Sequence, residues 1–85
     1  MSRYQRVLER ILRGRSDANI DFNDLRNTLL RLAFEERIRG SHHIFTRTDV
    51  EEILNLQPRG GKAKIYQVRQ VRGVLIKYRM VSNDE

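Results

Sequence analysis

The spacing of apolar residues changes period twice along this 85-residue chain, and that change limits the folds open to it. Over residues 3–13, Tyr4, Val7, Leu8, Ile11 and Leu12 recur at three- and four-residue steps, the period of a helix with one buried stripe. The period returns over 22–33, where Phe22, Leu25, Leu29 and Leu32 share a stripe and Leu30 and Ala33 lie at its margin. From Phe34 the step falls to two. Phe34, Glu36 and Ile38 alternate with Glu35, Arg37 and Arg39, as on a half-buried strand. Residues 42–47 (HHIFTR) are rich in β-branched and aromatic side chains, and 51–57 (EEILNLQ) fit a third strand. The helical period resumes over 63–79. Val68, Val71, Leu75 and Tyr78 form its stripe with Val74 beside it, while Gln67, Arg69, Gln70, Arg72 and Lys77 lie away from it.

Turn and cap residues punctuate these runs. Gly14 follows the first helix and 14–20 read as a polar connector. Asp21 can cap the second helix, with Asp24 well placed against its dipole. Gly40-Ser41 and Thr48-Asp49 fit turns, and Pro58-Arg59-Gly60-Gly61 is a loop. Gly73, inside the last helix, costs ~1 kcal/mol relative to Ala and suggests a close packing contact. The order α-α-β-β-β-α predicts one α+β domain, in which a three-stranded meander closes a core against helices. Residues 81–85 read as a disordered tail.

Without cysteine, the chain has neither disulfides nor thiolate metal sites, which fits a reducing, cytoplasmic setting. No apolar run approaches the ~20 residues that span a bilayer, and none resembles a signal peptide, so no membrane partner is expected. The net charge of +6 is unevenly spread. Residues 59–79 hold seven basic side chains (Arg59, Lys62, Lys64, Arg69, Arg72, Lys77, Arg79) and no acid, whereas the first 58 residues hold ten basic and nine acidic ones. A segment of one sign points to a polyanion or an acidic partner, though it also suits a solvated helix face.

Chemistry has few places to reside. The only histidines are the neighbours His42 and His43. Adjacent strand residues face opposite ways and do not readily share a metal ion. Gly60-Gly61-Lys62 falls far short of a phosphate-binding loop. Alternation puts His43 with Phe45 on one face and His42 with Ile44 and Thr46 on the other. With Phe45 in the core, His43 faces inward and His42 outward, unless a bulge after Gly40 reverses them. One exposed imidazole suffices for RNA, which carries its own nucleophile: the ring takes the 2′-hydroxyl proton or protonates the leaving oxygen. Basic side chains would hold the phosphate. The plain alternative is a surface histidine on a small basic domain.

Residues 21–79 resemble the HicA family of mRNA-interferase toxins. The likeness lies in DLRNTLLRLAFEERIRG, in the GSHHIF stretch (Gly40 to Phe45), and in GGKAKIYQVRQVRGVLIKY (Gly60 to Tyr78). It implies a fold like that of a double-stranded-RNA-binding domain, α-β-β-β-α. It also implies metal-independent RNA cleavage without a cofactor, by His42, with Gly40, Ser41 and His43 in support. An antitoxin of the HicB type would be the protein partner. Arg59, Lys62, Lys64, Arg69 and Arg72 are then the candidate RNA contacts. Residues 1–20 would be a helical extension, present either to pack on the domain or to self-associate. Two further departures are Ile65 where the family commonly has proline near Lys64, and Glu51-Glu52, which an RNA path would avoid. A non-catalytic RNA-binding module on the same fold is the main alternative. A winged-helix DNA binder fits poorly, since residues 21–33 offer only Arg26 and Arg31.

Overall fold

The computed structural model describes residues 2–80. Helix α1 spans Arg3–Arg13, α2 Phe22–Arg31 and α3 Ile65–Lys77. The strands are β1 (Glu35–Arg39), β2 (His42–Arg47) and β3 (Val50–Leu56). They form an antiparallel sheet in the order β1-β2-β3, the expected meander. The protein is therefore α+β, with three helices and one three-stranded sheet among the described residues.

The register assigns the two faces. Glu36, Phe45 and Leu54 stand abreast on one, and Arg37, Ile44 and Asn55 on the other. Phe45, Leu54 and Leu56 are fully buried with Leu8, Ile11, Leu25, Leu29, Val68, Val71 and Leu75. One sheet face thus shares a core with the helices, and the other, carrying Ile53 at 62% exposure, does not. Val7, Leu8, Ile11 and Ile20 from the N-terminal part of the chain belong to this core. Arg72 fixes them further: its Nε donates to the Ile11 carbonyl at 2.7 Å, and its guanidinium pairs with Asp17.

Several local expectations change. The second helix stops at Arg31, because Ala33 turns left-handed (φ 71°) and the Phe34 N–H closes back on the Leu29 carbonyl at 3.0 Å. Asp21 stands at the cap position, but its carboxylate takes the Lys62 ammonium at 2.7 Å instead of capping the helix. The connector contains a 3-10 turn at Asp17–Asn19 and buries Ile20, an isolated apolar residue with no periodic neighbour. The third strand runs one residue earlier than expected, and the last helix is shorter at both ends. Gln67, expected to face away from the core, is 1% exposed, and in its satisfied orientation the amide pairs with both backbone groups of Gln57. Gly73 makes no close contact: a Cβ there would meet nothing within 4 Å. Ile38 has inward parity yet is 55% exposed. Residues 81–85 lie outside the described residues. No helix among the described residues is long and apolar enough to cross a membrane.

Candidate functional site

The β1–β2 turn is a two-residue hairpin, since Arg39 pairs directly with His42. Its first central residue, Gly40, has φ 59°, a conformation that Gly adopts without steric cost. This short turn leaves no room for a bulge before His42, so the alternation read from Phe45 carries back to both histidines. His42 is exposed on the open face, and His43 is half-buried on the core side.

Each ring has a partner. His42 Nδ1 lies 3.0 Å from Asn55 Oδ1 on β3. An amide oxygen only accepts, so Nδ1 must carry the proton. In the neutral ring this leaves the Nε2 lone pair free, the form a general base requires. Arg37 and Arg39 share this face, exposed and without an acidic partner among the described residues. Nothing in the sequence alone singled out Asn55, Arg37 or Arg39. Strand pairing brings them to His42, and pairing becomes visible only once the register is known.

His43 sits in a different setting. Its ring packs edge-on against Phe22, with centroids 4.8 Å apart, and its Nδ1 donates to Glu36 Oε2 at 2.7 Å. Glu36 also accepts two bonds from Arg26, both at 2.6 Å. The Arg26 guanidinium, with His43 adding to it, holds this carboxyl down at about 2. The Arg26–Glu36–His43 cluster ties α2 to β1 and β2 beneath the site.

The basic loop lies at the same end of the sheet. Gln57, just past β3, donates from Nε2 to Ser41 Oγ at 2.7 Å, linking the turn to the segment that leads to Arg59. Arg59 and Lys62 exchange backbone hydrogen bonds at 2.9 and 3.0 Å around Gly60 and Gly61, both at positive φ. This tight hairpin is pinned to α2 through the Phe22 N–H and the Gly61 carbonyl at 2.9 Å. Arg59, Lys62, Lys64 and Arg69 line one groove. Arg72 does not join them, because its guanidinium is committed to Asp17 and Ile11. Glu51 is exposed on the open face, and Glu52 is engaged by Lys77 and by the Tyr78 hydroxyl, each at 2.7 Å.

Among the described residues, no three His, Cys, Asp or Glu side chains are grouped as metal ligands would be. Comparison with protein-family models, curated proteins and solved structures finds no match to the chain.

Proposed function

We propose that this protein is an endoribonuclease that needs no metal ion, with His42 as its acid–base residue. More particularly, we read it as a cytoplasmic toxin of the HicA type on a fold like that of a double-stranded-RNA-binding domain, held in check by a HicB-type antitoxin. The observation that carries this reading is the setting of His42. It is exposed on an open sheet face, its Nδ1 lies 3.0 Å from Asn55 Oδ1, and Arg37 and Arg39 share that face. The GSHHIF resemblance supplies the family.

In the reaction, the 2′-hydroxyl of the RNA gives its proton to Nε2 of His42. Its oxygen attacks the adjacent phosphorus. The bond from phosphorus to the 5′-oxygen breaks, and that oxygen leaves with a proton from solvent. The products are a 2′,3′-cyclic phosphate and a 5′-hydroxyl. Arg37 and Arg39, on the same face as His42, would offset the charge that develops on the phosphoryl oxygens. DNA lacks the 2′-hydroxyl and is left intact.

Induced expression in bacterial cells tests the toxin reading. Growth should arrest and mRNA should decay, and a folded His42→Ala variant should do neither. Full toxicity from that variant would overturn the assignment.

A further inference from the structure

The groove beside the Gly60-Gly61 hairpin joins two properties that are seldom found together on a solvated surface. It measures about 510 Å³, and its lining includes Arg59, Lys62, Lys64 and Arg69 with no carboxylate. Lys62 is partly neutralised by Asp21, and Arg69 lies 3.6 Å from an Asp17 that already serves Arg72. Arg59 and Lys64 have no acidic partner among the described residues. Into the same groove come Ile65 and Tyr66, from the first turn of α3, at 45% and 62% exposure.

Phosphate recognition explains the cations but not the aromatic ring. An RNA duplex presents phosphates and 2′-hydroxyls while its bases remain stacked on one another, so Tyr66 would find no free base face. A single strand offers both, a backbone for the cations and unstacked bases for the ring. The groove is also prepared in advance. Paired Gly residues set the hairpin, and the Ala63 N–H is bonded to the Ile20 carbonyl at 2.9 Å. Binding therefore has little loop to order.

We infer that this groove is a single-stranded RNA subsite in which Tyr66 stacks on one base while Arg59 and Lys64 hold the neighbouring phosphates. This deepens the RNA reading above and does not depend on cleavage.

The test measures anisotropy of labelled RNA in the His42→Ala background, where strands stay intact. The probes are a 12-nucleotide single strand, the same strand carrying abasic riboses, and a duplex. Tyr66→Ala should weaken single-strand binding about 5- to 150-fold, the span that stacking of one base on an aromatic ring provides. Tyr66→Phe should stay within about twofold, because it keeps the ring. The abasic strand should bind weakly and be indifferent to Tyr66→Ala. Salt dependence should be unchanged by Tyr66→Ala and should fall by roughly 0.7 in slope with Lys64→Gln. Unaltered single-strand affinity in Tyr66→Ala, or an equal loss on abasic or duplex RNA, would overturn the inference. If the protein binds single strands in this way yet never cuts them, the nuclease reading fails and the subsite stands. If it binds no RNA at all, both fall.

Discussion

Replacing Glu36 with Gln isolates the charge that holds the floor of the site. The Glu36 side chain is 9% exposed, and it accepts both Arg26 bonds and the His43 Nδ1 proton. Its carboxyl stands at about 2 against an ordinary 4.5. A carboxyl lowered on folding stabilises the native state above its unfolded value, and that stability is lost as pH falls toward the folded value. At about 1.4 kcal/mol per pH unit of separation, the charge contributes about 3 kcal/mol at pH 7. At pH 3 the native carboxyl is still mostly ionised and the unfolded one mostly protonated, so about half remains. Gln keeps the shape and an accepting oxygen but has no charge to lose. Urea denaturation of wild type and Glu36→Gln at pH 7 and pH 3 should therefore show a gap of about 3 kcal/mol that shrinks to about 1.5. A gap of the same size at both pH values would refute the electrostatic account, as would a gap below about 0.5 kcal/mol at pH 7, which is the scale of an indifferent surface change. Because His42 lies on the opposite face, RNA cleavage by the folded variant should stay within a few-fold of wild type.

Two further substitutions separate working groups from structural ones. Asn55→Leu should leave the fold intact and reduce cleavage about 10- to 100-fold, as expected when the partner that orients a working imidazole is removed; Asn55→Asp should restore activity and move the acidic limb of the pH–rate profile upward, since a carboxylate favours the imidazolium. Arg72→Met should cost at least about 2 kcal/mol in urea denaturation by leaving the half-buried Asp17 without its main partner, while the salt slope of RNA binding stays unchanged.

Much of the fold was legible because it depends on period. The α-α-β-β-β-α order, the Phe45 core position and the opposed histidines all follow from steps of 3.6 and 2 fixed by a well-placed turn. Details that depend on partners across the chain were not legible. Gln67 reads as a surface residue until a backbone with two unmet groups, that of Gln57, comes to lie against it. Arg72 reads as one more free cation in a basic run until Asp17, 55 residues away in sequence, pairs with it. Gly73 suggests a tight contact by its residue type, yet the helix surface there is open. For the site, alternation separated His42 from His43. Asn55, Arg37 and Arg39 come to His42 only through strand register, and register between strands is not written in any one of them. Val7, Leu8, Ile11 and Ile20, all N-terminal to the second helix, contribute to the same core.

The central claim is that His42 cuts RNA with the 2′-hydroxyl as nucleophile and without metal. Its most direct test is incubation of the purified protein with end-labelled RNA in excess EDTA, followed by identification of the new ends. The account predicts fragments ending in 2′,3′-cyclic phosphate and 5′-hydroxyl, none from a strand with 2′-deoxyribose throughout, and none from folded His42→Ala. Intact RNA with wild type in EDTA, or equal cleavage by His42→Ala, would contradict it.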